Sequence, residues 1–218
     1  MEAASLLQAG LCRLDVALPP ETVDRLARYC DELERWNRRI NLVARKTGRQ
    51  DLVEKHFLDS LALVPLIRGY GRPDAVLIDV GSGAGFPGLV LATALPELRV
   101  VLLEPRQKRV SFLRHVAREL GVQVDIRPVR LEEAGALPVA DFVTGRAVAA
   151  PARFLALVHS LLTPATLVVL MGGGRDADSL REAVETAGLQ PVESVCFDLP
   201  FSSARRRILL AGAAGRSA

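Results

Sequence analysis

Two spacings of apolar residues divide the chain. Up to about residue 70 they recur at helical intervals. Leu6, Leu7, Leu11 and Leu14 form one stripe, and Val23, Leu26, Tyr29, Cys30, Leu33 and Trp36 another. Such stripes mark one buried face of a helix. They predict a short helix within 1–14, a break at Pro19-Pro20, a second helix from about Glu21, and a third over roughly 50–67. Trp36 reads as a core anchor. After Asp74 the apolar residues come in short runs instead: Val76–Val80, Arg99–Leu103, Val122–Ile126, Asp141–Thr144 and Thr166–Met171. Runs of this kind are strands buried on both faces of a parallel sheet. Helical stripes separate them, one from Pro87, one over Gln107–Leu120 closed by Gly121, one over 151–162, and one over Asp178–Ala187 closed by Gly188. Val192–Leu199 and Arg207–Leu210 have only a short link between them and pair as an antiparallel hairpin.

The expected fold is therefore α/β. It has a mostly parallel seven-stranded sheet, an antiparallel C-terminal hairpin and an N-terminal helical appendage. Gly69, Gly71 and Pro73 mark a boundary, giving a helical cap over 1–73 and a sheet domain over 74–218.

The most informative stretch follows the first strand. Asp79 stands near the strand's end, where an open α/β sheet meets its binding crevice. Gly81, Gly83, Gly85 and Gly88 follow within ten residues of it. A simple turn does not need that many glycines; a backbone lying against a ligand does. Gly83, Gly85 and Gly88 fit the dinucleotide pattern G-x-G-x-x-G, a weak signal alone. Asp79, Gly81, Gly83 and Gly85 fit D-x-G-x-G-x-G, which resembles motif I of S-adenosylmethionine-dependent methyltransferases. Glu104 ends the second strand, at the spacing from which an acid accepts hydrogen bonds from both ribose hydroxyls of an adenosine. Five β/α units with a hairpin leave no room for the second half and substrate domain of a dinucleotide dehydrogenase, which favours the methyltransferase register.

Composition narrows the setting. The 218 residues are half hydrophobic, with a formal net charge of +3. That charge is compatible with a polyanionic partner without requiring one. Cys12, Cys30 and Cys196 are odd in number and scattered, matching neither a disulfide framework nor a metal site. No signal peptide and no membrane-spanning run is read, so a cytoplasmic location is expected, without membrane or metal. Arg35, Arg38, Arg39, Arg45, Lys46 and Arg49 crowd one segment with no acid before Asp51. With Lys108, Arg109, Arg205 and Arg206 they are the candidate contacts to an RNA backbone. Aromatic residues, at 5%, are too few for a sequence-tolerant stacking platform. His56 and Asp59 lie three apart and are expected to form an intrahelical pair. Lys108 and Arg109 sit in the first turn of their helix, the unfavourable end of its dipole for a cation, so a nearby anion is expected. Arg146 falls at the carboxyl end of the fourth strand.

These residues carry a resemblance over nearly the whole chain. Leu33-x-x-Trp36-Asn37-x-x-x-Asn41-Leu42, His56-x-Leu58-Asp59-Ser60, the turn from Asp79 to Gly88, Lys108-Arg109-x-x-Phe112-Leu113, Arg130-x-Glu132-Glu133 and Arg146-Ala147 resemble the bacterial glucose-inhibited division protein B family. Its members are 16S ribosomal RNA guanine-N7 methyltransferases. The resemblance implies S-adenosylmethionine as cofactor, with Gly81, Phe86, Glu104, Leu131, Glu132 and Arg146 lining its site. It implies 16S RNA or the small ribosomal subunit as partner, with a monomer favoured. Three positions depart from the family's usual residues: Gly145 where Ser is common, Met171 where Lys is common, and Val43 where Thr is common. A small-molecule methyltransferase, which would methylate free guanine-like compounds, and a non-catalytic ribosome-binding factor, which would bind cofactor without transfer, are the competing readings.

Overall fold

The structure, a computed structural model, describes residues 2–44, 47–174 and 176–213. In chain order the helices α1 (Ala3–Arg13), α2 (Pro20–Asn37) and α3 (Arg49–Leu52) come first. A π-helical segment, Val53–Leu58, runs on into α4 (Asp59–Leu61), and α5 (Val64–Tyr70) follows. The sheet region contains β1 (Val76–Val80), α6 (Gly88–Ala94), β2 (Arg99–Leu103), α7 (Gln107–Leu120), β3 (Asp125–Arg127) and β4 (Phe142–Thr144). Then come α8 (Pro151–Val158), β5 (Leu167–Gly173), α9 (Ala177–Thr186), β6 (Gln190–Asp198) and β7 (Arg205–Gly212).

The seven strands lie in the order β3-β2-β1-β4-β5-β7-β6. The first five are parallel, and β7 pairs antiparallel with both β5 and β6. Strand alternation splits the interior in two. Leu77, Leu102, Val169 and Leu210 face a core shared with α1, α2, α6 and α7. Ile78, Val101, Val168 and Leu209 face a second core under α8 and α9. Each fully buried Leu, Val or Phe contributes roughly 1.5–3 kcal/mol, so this double-sided burial is what makes β1 the rigid centre of the five parallel strands.

Three boundaries differ from the expected ones for local reasons. The third strand starts at Asp125 rather than Val122. Gly121 caps α7 in the left-handed conformation at φ 64°, and the Val122 amide bonds back to the Ala117 carbonyl at 2.9 Å. Those residues complete the helix cap instead of a ladder. The third expected helix is interrupted by the wide π turn and again before Val64. The hairpin strands are longer than the apolar runs: β6 begins at Gln190 and ends at Asp198, one residue before Leu199, and β7 spans Arg205–Gly212, because polar residues pair at the ends, Gln190 with Gly212 and Asp198 with Arg205. Pro191, which has no amide hydrogen to donate, sits beside an irregularity on the edge strand β6.

Candidate functional site

A cleft of about 390 Å³ opens at the carboxyl ends of β1, β2 and β4. Gly81, Ser82, Gly83, Ala84 and Phe86 form one wall, Glu104 and Arg106 another, and His56, Arg146 and Val148 a third. A hollow of about 490 Å³ lies at the amino ends of β1, β2 and β3, around Arg99 and Gln123. It includes no part of the glycine turn and sits away from the strand ends where open sheets bind ligands.

The glycine turn is shaped by left-handed residues, with φ 72° at Gly81, 60° at Gly83 and 90° at Gly85. A Cβ added at Gly83, which lines the cleft, would meet only Arg109 Nη1 at 3.6 Å and the Gly81 carbonyl at 3.8 Å. The missing side chain there leaves room for a ligand against the main chain. Gly85 faces inward instead, toward Leu89, Leu113 and the Tyr29 hydroxyl. Tyr29 is fully buried and donates that hydroxyl hydrogen to the Ala84 carbonyl. Its ring stacks on Phe86 with centroids 5.9 Å apart and nearly parallel planes. The helical layer therefore props the turn from behind. Sequence spacing identified Tyr29 only as part of an apolar stripe, although a buried tyrosine must find a partner for its hydroxyl.

Glu104 is held in place at both oxygens. Oε2 accepts from the Gly83 amide at 2.9 Å and Oε1 from the Arg106 amide at 2.8 Å. Arg109 Nη1 lies 3.6 Å from Oε2, which supplies the anion that its unfavourable place in the first turn of α7 called for. Each carboxylate oxygen keeps a second lone pair. The donor set thus fits a vicinal diol next to a glycine-lined backbone, as an adenosyl cofactor presents. Glu104→Gln is expected to weaken cofactor binding by roughly 2 kcal/mol, about thirtyfold, in a calorimetric titration. The amide can no longer accept at both ends.

Arg146 organises the opposite wall. Its Nη1 donates to the Lys55 carbonyl at 2.9 Å and to Asp59 Oδ2 at 3.2 Å, and its Nη2 to His56 Nδ1 at 2.6 Å. Its Cζ stands 5.1 Å from the centroid of the Phe86 ring, on which His56 also stacks at 5.0 Å. The expected His56–Asp59 pair is thus corrected: the two residues are joined through Arg146. The wide π turn carries His56 and ends next to Asp59, and such turns are frequent at functional sites. Burial, with the charges of Arg146 and Lys55, pulls the His56 imidazole down to about 3, so it is neutral with its proton on Nε2. Ala147 follows with φ 57°, and Gly145 precedes. A Cβ at Gly145 would lie 2.7 Å from the Val80 carbonyl and 2.5 Å from the Phe154 ring, so this chain's departure to glycine is matched by a bulky neighbour. Val43 lines the cleft, and Met171 packs against the first core.

Asp79, Gly85, Leu131 and Glu132 do not line the cleft. Asp79 is fully buried beneath the turn and accepts the Gly88 amide at 3.0 Å, so it braces the helix start. Leu131 packs into the second core and Glu132 is exposed, while their neighbour Arg130 reaches the cleft. Among the basic candidates, Arg38, Arg39 and Lys108 are exposed, and Arg35 is exposed with Glu32 at 3.1 Å. Arg49 is committed elsewhere. It forks onto Glu34 and meets Asp31 at 3.1 Å. Arg205 pairs with Asp198 at 3.3 Å and Arg206 lies 3.3 Å from Asp59. Arg45 and Lys46 fall outside the described residues.

Two buried groups give stability a compensated pH dependence. Burial pushes the Asp79 carboxyl up to about 7, against the Gly88 amide and Arg146. Folding therefore favours protonated Asp79 increasingly as pH falls from about 7 toward the unfolded value of 3.8. Neutral His56 has the opposite effect. Its contribution is complete above the unfolded value of 6.5 and is lost as pH falls toward about 3. Each slope approaches about 1.4 kcal/mol per pH unit, and they oppose each other between the two unfolded values. Asp79→Asn is expected to lose stability on acidification in that window by about 1 kcal/mol per unit more than the parent, in denaturant titrations across pH.

A parallel sheet with this strand order and an antiparallel hairpin, a glycine turn after β1 and an acid ending β2 defines a Rossmann-like methyltransferase. The GidB family model, described as rRNA small subunit methyltransferase G, matches residues 22–207. The ribosomal RNA small subunit methyltransferase G of Desulfotalea psychrophila is 40% identical over 211 residues, covering 94% of this chain and 95% of the relative. That of an Anaeromyxobacter species is 40% identical over 210 residues, covering 93% and 94%. The tRNA methyltransferase TrmK of B. subtilis shares the fold, with a TM-score of 0.55 at 16% identity, over 69% of this chain and 64% of its own. The chain belongs to the GidB family, the rRNA small subunit methyltransferases G.

Proposed function

We propose that this chain transfers the methyl group of S-adenosylmethionine to N7 of a guanine in 16S ribosomal RNA, using the cleft between Gly83, Glu104 and Arg146. The family match supports the reaction. The observation that carries the binding reading is the Glu104 carboxylate, fixed beside Gly83 with a lone pair free on each oxygen.

Gly81, Gly83 and Glu104 would hold the cofactor, which would supply an activated methyl on a sulfonium whose sulfur would keep the electron pair of the broken bond. Guanine N7 carries a lone pair and no proton, so no general base is needed. The residues' task is positioning, which contributes roughly 7–11 kcal/mol in well-oriented systems. Glu104 and the backbone at Gly81 and Gly83 hold the nucleoside end. Arg146, locked by Lys55, His56 and Asp59 over Phe86, sets the wall where the base enters. Arg146 is thus a positioning group for the cofactor or the guanine O6 edge.

Arg38, Arg39 and Lys108, with Arg205 and Arg206 at the start of β7, are the proposed phosphate contacts. The helices before residue 74 act as the layer that lays RNA against the cleft. We further infer a monomer working in the cytoplasm; light scattering with RNA present checks the first. Among the described residues, no helix is long and apolar enough to cross a membrane.

Labelled 7-methylguanosine should appear after incubation with methyl-labelled cofactor and unmethylated small subunits or naked 16S RNA. The ratio of the two substrates tells which is read. No label in either RNA, with cofactor binding intact, would overturn the reading. RNA affinity should fall with added salt, with a log–log slope of about −2 to −4 for three to five phosphate contacts. A flat response would remove those contacts.

A further inference from the structure

Around Asp59 two cations share one anion. Arg146 reaches Oδ2 from the cleft wall, and Arg206 Nε lies 3.3 Å from Oδ1. That second approach is poorly aligned, and Oδ1 has no hydrogen-bond partner among the described residues. The carboxylate is buried, which alone holds its pKa above the ordinary value against both arginines. His56 is neutral, so at this point two guanidiniums meet one carboxylate. The two arginines differ in their freedom. Arg146 has two further acceptors inside the protein, Lys55 and His56. Arg206 sits on β7 between Arg205 and Arg207, with 26% of its side chain exposed, Asp59 as its one ion-pair partner among the described residues and a long bond from Nη1 to the adjacent Arg205 carbonyl at 3.3 Å as its other contact.

We propose that Asp59 is a positioning residue that couples RNA on the β6–β7 hairpin to the cofactor cleft, by giving up Arg206 to a backbone phosphate. The inference rests on RNA being the substrate. A phosphate offers the guanidinium fork two aligned acceptors, where Asp59 offers it one poor approach. Once Arg206 has turned outward, the Asp59 charge belongs to Arg146 alone. Arg146 is then held more firmly over Phe86. The phosphate also draws one of the two guanidinium charges away from the wall that faces a cationic sulfonium donor. Both changes tighten donor binding when RNA is present. By linkage, the donor tightens RNA binding by the same factor.

The test measures the dissociation constant of S-adenosylmethionine by calorimetry, with and without saturating RNA. 16S RNA transcribed with 7-deazaguanosine serves as the probe, because it has carbon at position 7 and cannot be methylated. The intact protein is expected to bind the donor at least about fivefold tighter with RNA, the lower end of ordinary coupling. Arg206→Ala should lose that difference, and its RNA-free affinity should rise toward the RNA-bound value of the parent. A merely structural role for Arg206 would lower affinity instead. Arg207, the neighbour on the same strand, donates to the Ser194 hydroxyl at 2.8 Å rather than to Asp59, so Arg207→Ala should keep the coupling. Unchanged coupling in Arg206→Ala, or a fall in its RNA-free affinity, would overturn the proposal. Absence of coupling in the parent, while ordinary 16S RNA is methylated normally, would overturn it and leave the proposed function standing. Absence of both methylation and RNA binding would remove both.

Discussion

Arg146→Ala is expected to reduce methyl transfer at least about a hundredfold, the cost of misplacing a reacting group by about an ångström. The guanidinium is the only side chain in the described cleft that joins Lys55, His56 and Asp59 to the Phe86 face. Without it, nothing fixes that wall. The same change strips the better-placed partner from a buried carboxylate and should cost up to about 3 kcal/mol of stability, less than a full uncompensated charge because Arg206 stays close. Arg146→Lys should rescue little. A lysine has one nitrogen, and three acceptors at fixed positions need the planar fork. Single-turnover rates, cofactor titrations and denaturant midpoints on the two variants separate these effects. Full turnover and full cofactor affinity in Arg146→Ala would remove its positioning role.

Gly85→Ala should give the largest loss of stability in the glycine turn, about 3 kcal/mol or more. Two costs add. A left-handed φ of 90° strains an alanine by roughly 1–3 kcal/mol. The new Cβ would also press on Leu89 at 2.9 Å, Leu113 at 3.1 Å and the Tyr29 hydroxyl, and overpacking of this kind costs a further 1–3 kcal/mol. The melting temperature should fall by about 6–12 °C. Gly121→Ala is the contrast. Its φ of 64° is also left-handed, but nothing stands within 4 Å of the added methyl. It should cost only about 1 kcal/mol. Equal losses at both positions would mean that backbone strain, not the Tyr29 buttress, sets the cost at Gly85.

The glycine turn and Glu104 were legible in the sequence because their chemistry is local: a strand, a turn and the next strand end, all at short and regular spacing. Strand runs such as Val76–Val80 and Arg99–Leu103 were legible for the same reason, since each is a continuous apolar stretch between turns. What escaped depends on residues far apart. Arg146 meets His56 and Asp59 across some ninety positions, and no periodicity encodes that meeting. The cluster of cations from Arg35 to Arg49 looked uniformly free because the acids that engage Arg49, Asp31 and Glu34, lie a helix away. Tyr29 looked like packing because a stripe reports burial and not where a hydroxyl points. Val122 looked like a strand because a helix cap of apolar residues has a strand's composition.

The strand order also sets a schedule for synthesis. β6 leaves the ribosome before β7, yet in the finished sheet β6 pairs with β7 alone. Until Arg205–Gly212 emerges, β5 keeps an open edge and β6 has no place to dock. Such an edge templates association between nascent chains. The second arginine at Asp59 arrives on that same late strand. A half-made chain can therefore assemble its glycine turn, but Asp59 meets its second guanidinium only when the strand that closes the sheet is in place.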